Sequence, residues 1–82
     1  MIPQSRQTPY PRPALGKAIR QLREKQGTSL DRLGGEAGVA PNTLSLIERG
    51  EANPTWHTVK GIAAALGVPV STLARAAEKL EG

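Results

Sequence analysis

Apolar side chains recur at helical spacing along most of the chain. The first run covers residues 14–26, where the sequence reads ALGKAIRQLREKQ. Its apolar residues fall at positions i, i+3, i+4 and i+7 of one helix face, namely Leu15, Ala18, Ile19 and Leu22. The charged residues fall outside this stripe, and Gly27 supplies a C-terminal stop signal. The spacing therefore predicts an amphipathic helix over residues 14–26.

Two short helices are predicted next, one on each side of Gly38. The first begins at a cap formed by Thr28 or Ser29, and Gly38 ends it. The second begins at Pro41. Proline suits the first turn of a helix because the N–H that it lacks would have no partner within the helix there. Gly50 ends the second helix, which makes it about two turns long.

Two longer helices complete the pattern. One has its cap at Thr55, ends near Leu66 and carries Trp56, which we assign to the core. The other spans about residues 70–80, and its apolar side closes the core, with a dimer seam as a hypothesis for the outer part. The apolar residues of this last helix are Val70, Leu73, Ala77 and Leu80. No alternating pattern typical of strands occurs, so the sequence predicts an all-α fold of five helices.

The chain divides into an arm and one small domain. Residues 1–13 contain four prolines, which block helix continuation, so we expect a flexible arm there and a folded domain at 14–82. The chain has no cysteine, which excludes disulfides and thiolate metal sites. No apolar run approaches the ~20 residues that span a bilayer, and the start lacks the apolar middle of a signal peptide. These features predict a cytoplasmic protein without a membrane partner.

The charge is unevenly distributed along the chain. The net charge is +4, with +5 in residues 1–32 and −1 in residues 33–82. A basic first part permits a polyanionic partner such as DNA, RNA or an anionic membrane. The single histidine, His57, is expected at the surface, and with one aspartate and no cysteine no nucleophile–base pair or metal cluster can be assembled. We therefore predict no enzymatic activity, no cofactor and no metal site.

The two short helices have the spacing of a helix-turn-helix. With Leu30 as the first position of the motif, Gly34 falls on the fifth and Gly38 on the ninth. A small fifth residue lets the two helices approach closely, and glycine at the ninth allows a left-handed backbone in the turn. The later apolar positions, Leu44 and Ile47, hold the second helix against the first.

Residues 15–73 resemble the Cro and phage-repressor type helix-turn-helix proteins, also called the XRE family. The matching stretches are LGKAIRQLREKQG, EAGVAPNTLSLIERGEANPTWHTV and IAAALGVPVSTL. The resemblance implies a compact, five-helix, lambda-repressor-like bundle in which helices 2 and 3 form the helix-turn-helix. It also implies a transcriptional regulator, preferably a repressor, that binds double-stranded DNA as a homodimer. Its site would be an inverted repeat, read by the third helix in the major groove.

The resemblance implies base contacts from the start and the outer face of the third helix. These residues are Ala40, Pro41, Asn42, Thr43, Ser45 and Leu46. Asn42 is the best candidate for adenine, whose edge offers a matched donor and acceptor. Many relatives carry a polar residue at the position of Leu46, which can pack on a thymine methyl or simply be exposed. We therefore expect fewer polar base contacts here than in a typical relative.

Phosphate contacts are implied around the same groove. The candidates are Arg20, Arg23, Ser29, Leu30 and Arg49. Leu30 stands where many relatives carry a backbone-contacting glutamine, which leaves helix N–H groups to bind phosphate there. An ordinary solvated helix face remains the alternative for the arginines of the first helix. For Arg6 and Arg12 we favour a solvated tail over a clamp on the DNA.

One alternative function comes from a different class. The runner-up hypothesis is the antitoxin of a toxin–antitoxin pair, which would bind both DNA and a toxin protein. The arm and the last helix are the parts left to hold such a protein partner. The DNA-binding transcriptional regulator is the leading hypothesis.

Overall fold

The computed structural model describes residues 13–81, and every regular element in that range is an α-helix. The helices are α1 (Pro13–Lys25), α2 (Leu30–Ala37), α3 (Pro41–Glu48), α4 (Trp56–Leu66) and α5 (Val70–Glu81). This confirms the predicted all-α fold of five helices. Pro13, which the sequence assigned to the arm, is instead the first residue of α1. The rest of the predicted arm, with Arg6 and Arg12, lies outside the described residues.

All five helices contribute to one hydrophobic core. The largest fully buried side chains include one from each helix, namely Ile19, Leu33, Leu44, Ile62 and Leu73. Smaller buried residues such as Ala18 and Ala63 lie between them. Because every helix anchors one of these side chains in the same core, no short helix has to be stable by itself.

Side-chain caps and left-handed glycines set the helix ends. The Ser29 hydroxyl accepts a hydrogen bond from the Arg32 N–H at 3.0 Å, so Ser29 rather than Thr28 caps α2. The Thr55 hydroxyl accepts from the Thr58 N–H at 3.1 Å and caps α4, as predicted. These local signals explain why the helix boundaries follow the sequence pattern closely.

The assignment of Trp56 to the core is wrong. Trp56 is 64% exposed, because it occupies the first position of α4, directly after the Thr55 cap. The buried side of α4 is formed further along the helix by Ile62, Ala63 and Leu66. The apolar pattern of α4 therefore begins at Trp56, before the part of the helix that lies against the core. His57, the next residue, is exposed as predicted.

Two neighbouring glycines of α2 should respond to alanine with opposite signs. A Cβ on Gly35 would meet nothing within 4 Å, whereas a Cβ on Gly34 would lie 2.5 Å from the Val39 carbonyl oxygen. We expect Gly35→Ala to raise the free energy of unfolding by about 0.5–1 kcal/mol, because alanine is the better helix former. Gly34→Ala is the matched control and should lower the free energy of unfolding, because its Cβ would collide with the Val39 carbonyl oxygen. Urea unfolding followed by circular dichroism measures both, and equal effects of the two variants would contradict this interpretation.

Candidate nucleic-acid interface

A tight turn at Gly38 fixes the direction of α3 relative to α2. Gly38 has a φ of 76°, the left-handed conformation that glycine adopts without strain. The Val39 N–H donates to the Gly34 carbonyl at 2.8 Å and closes the end of α2. The close approach at Gly34 and the left-handed turn at Gly38 both confirm the predicted helix-turn-helix spacing.

The first turn of α3 is open on the side away from the core. Leu44 and Ile47 are 0% and 2% exposed and hold the helix against the bundle. The predicted base-contacting residues lie together beside them on the remaining surface. Ala40, Pro41, Asn42 and Thr43 are exposed, while Ser45 and Leu46 are half-buried. The accessible part of α3 is therefore its beginning, which is the part that a recognition helix places against base edges.

The N-terminus of α3 has no side-chain cap. Ala40 occupies the cap position and offers no side-chain oxygen, in contrast to Ser29 at the start of α2. The first N–H groups of an α-helix have no acceptor within the helix. At α3 they are consequently left to solvent or to an anionic ligand, next to the open surface of Asn42 and Thr43.

A buried ion pair anchors the C-terminal end of α3 to α1. The Glu48 carboxylate accepts from Arg23 Nε at 2.8 Å and from Arg23 Nη2 at 2.9 Å. The remaining Arg23 nitrogen, Nη1, donates to the Thr28 carbonyl at 2.9 Å. The hydrogen bond to Glu48 raises the pKa of Arg23 above its ordinary value, against the opposing effect of burial. This one side chain therefore joins α1, the α1–α2 loop and α3.

The Arg23 side chain is largely enclosed by the protein and hydrogen-bonded within it. The Arg23 and Glu48 side chains are only 12% and 4% exposed, and each guanidinium nitrogen already has an acceptor. We therefore assign Arg23 to holding α3 in position. The partner of Arg23 was not predicted from the sequence, although a signal was present. Glu48 lies four residues after Leu44, on the buried stripe of α3, and a charge on such a stripe indicates a buried pair.

The other predicted phosphate contacts remain at the surface around α3. Arg20 and Arg49 are exposed, and so is Ser29, the cap of α2. Leu30 is half-buried and packs against the core, so only its backbone N–H is suited to a phosphate.

Among residues 13–81 no helix is long and apolar enough to cross a membrane.

Two short helices are joined at a left-handed glycine, and the second helix is anchored along one edge and open at its start. This arrangement defines a helix-turn-helix protein. The chain belongs to the family described as the helix-turn-helix domain, which its sequence matches over residues 14–76. This family match confirms the resemblance to helix-turn-helix proteins that the sequence motifs indicate.

Related proteins include known regulators. The chain is 45% identical over 58 residues to the HTH-type transcriptional regulator SutR of Escherichia coli, and 42% identical over 60 residues to SinR of Bacillus subtilis. These matches cover 71% and 72% of this chain but only 33% and 54% of the two relatives. The chain therefore spans about half or less of the length of these regulators.

Solved structures give the same assignment. The clp gene regulator ClgR from Corynebacterium glutamicum superposes with a TM-score of 0.83 at 31% identity, covering 90% of this chain and 96% of that one. SinR in complex with DNA, described as the master regulator for biofilm formation, superposes with a TM-score of 0.69 at 41% identity. That match covers 73% of this chain and 97% of the SinR chain.

Proposed function

We propose that this protein is a sequence-specific DNA-binding transcriptional regulator that inserts α3 into the major groove. The observation that carries the proposal is the open first turn of α3, held in place by the buried Leu44 and Ile47. A helix that is fixed along one edge and free at its start can reach base edges without unfolding. The relation to SutR and SinR, which are transcriptional regulators, supports the same function.

Each residue of the interface has a role set by its chemistry. Asn42 offers a donor and an acceptor to adenine, and Thr43 and Ser45 offer hydroxyls to bases or phosphates. Leu46 packs on a thymine methyl, with Ala40 and Pro41 lining the groove at the helix start. The backbone at Ser29 and Leu30 and the side chains of Arg20 and Arg49 hold the phosphates. Arg23 keeps α3 in position and does not touch DNA.

We further propose that the protein binds an inverted repeat as a homodimer and represses by occupying the promoter. Half-sites read by two such helices are centred about one helical turn apart, ~34 Å. The seam we assign is the outer part of the apolar stripe of α5, where Leu80 is 38% exposed. No observation on the described residues favours the antitoxin function.

Asn42→Ala should weaken binding to the preferred duplex by about 1–3 kcal/mol, because a paired donor and acceptor to one base are lost. Fluorescence anisotropy on the preferred duplex and on an unrelated duplex measures the difference. Ser71→Ala, an exposed polar residue on α5, is the control and should leave both affinities unchanged. An equal loss for Asn42→Ala on both duplexes would mean that Asn42 does not read sequence.

A further inference from the structure

The exposed arginines around the proposed interface are already paired with carboxylates. Arg20 Nε lies 3.0 Å from Glu24 Oε2, and Arg49 Nε lies 3.7 Å from Glu51 Oε2. These are the two arginine side chains that the proposed function assigns to DNA phosphates. In the free protein, the cations meant for the DNA backbone are therefore partly neutralised by acidic neighbours.

These two pairs differ in kind from the Arg23–Glu48 pair. The side chains of Arg20 and Glu24 are 59% and 54% exposed, and those of Arg49 and Glu51 are 54% and 56% exposed. Each exposed pair is joined through a single guanidinium nitrogen, whereas Glu48 holds Arg23 by two nitrogens out of solvent. Exposed pairs of this kind are weak and open readily, so a phosphate can replace the carboxylate. Only the exposed pairs can exchange partners when DNA arrives.

We propose that Glu24 and Glu51 compete with DNA phosphates for Arg20 and Arg49, and thereby lower the sequence-independent part of the DNA affinity. The inference rests on the proposed function. A phosphate that approaches either arginine must displace the carboxylate from the guanidinium or share the cation with it, and in both cases it gains less than it would from a free arginine. Binding to any duplex consequently gains less from these two arginines than their charge suggests, and base contacts from α3 account for a larger share of the affinity.

A double-mutant cycle on each pair tests this competition. The probe is a duplex of fixed, arbitrary sequence, titrated by fluorescence anisotropy at several salt concentrations. Glu51→Gln should raise the affinity about two- to five-fold, the range that corresponds to one exposed ion pair. It should also steepen the salt dependence, because Arg49 is then free to release counterions from the DNA. In an Arg49→Gln background the gain should disappear, and Glu24→Gln should behave in the same way with Arg20.

Glu78→Gln supplies the matched control for net charge. Glu78 is an exposed residue of α5 with no ion pair among residues 13–81, so its neutralisation changes the overall charge equally without freeing an arginine. A gain from Glu51→Gln no larger than that from Glu78→Gln would overturn the inference, and so would a gain that persists without Arg49. Failure of the parent protein to bind any duplex at low salt would instead refute the proposed DNA binding itself.

Discussion

Glu48→Ala should lower the free energy of unfolding by about 3–5 kcal/mol, because it leaves the Arg23 guanidinium buried without its counter-charge. A small domain has only about 5–15 kcal/mol in total, so a loss of this size is a large fraction of its stability. Urea or thermal unfolding followed by circular dichroism measures the loss. Glu24→Ala, which breaks an exposed pair on α1, is the control and should cost about 0.5 kcal/mol or less.

The same pair separates a structural role of Arg23 from a role in DNA binding. If Arg23 only holds α3, Arg23→Ala should lower stability and leave the salt dependence of the remaining DNA binding unchanged. A flatter salt dependence at unchanged stability would instead return Arg23 to the phosphate-contacting set. Replacing both partners, as in Arg23→Met with Glu48→Leu, should restore part of the stability, because no charge is then buried alone.

Gly16→Ala should destabilise the fold by about 3 kcal/mol or more, at the upper end of the cost of overpacking a core. A Cβ on Gly16 of α1 would clash with the carbonyl oxygen of Ile47 and lie 2.7 Å from that of Glu48. Both obstacles are backbone atoms at the end of α3, so no side-chain rotation relieves them. The two helices would have to separate, and α3 would lose the position from which it reaches DNA.

Denaturant unfolding of Gly16→Ala beside Gly35→Ala gives the sharpest comparison. Both changes add one methyl group to a helical glycine, but only the Gly16 position has another helix against it. We expect a loss for the first and a gain for the second. If Gly16→Ala were as stable as the parent, α1 and α3 would not be in the close contact that positions the interface.

Local signals in the sequence were sufficient for the helices and the turn. The caps Ser29 and Thr55, the proline that opens α3 and the glycine at position 38 act within a few residues, so the chain order reveals them. The resemblance of the GVAPNTLSLIERG stretch to helix-turn-helix proteins then predicted the surface of α3 as the candidate DNA interface. Fold and family could therefore be predicted before any tertiary contact was known.

Contacts between distant parts of the chain could not be predicted in this way. The Arg23–Glu48 pair joins side chains 25 residues apart, and Arg23, like the exposed Arg20, falls outside the apolar stripe of α1. Gly16 and Gly61 pack against backbone carbonyls of other helices, which a sequence pattern does not reveal. Trp56 was wrongly assigned to the core because helical spacing predicts which face of a helix a residue lies on. It does not predict how far along the helix the core extends.

A selection from randomised DNA duplexes tests the central claim most directly. The purified protein is mixed with the pool at moderate salt, and the retained duplexes are sequenced. We predict enrichment of an inverted repeat with half-site centres about 34 Å apart, together with loss of preference at one base pair per half-site for Asn42→Ala. Retention of duplexes without enrichment, or no retention even at low salt, would contradict the proposal that α3 reads DNA sequence.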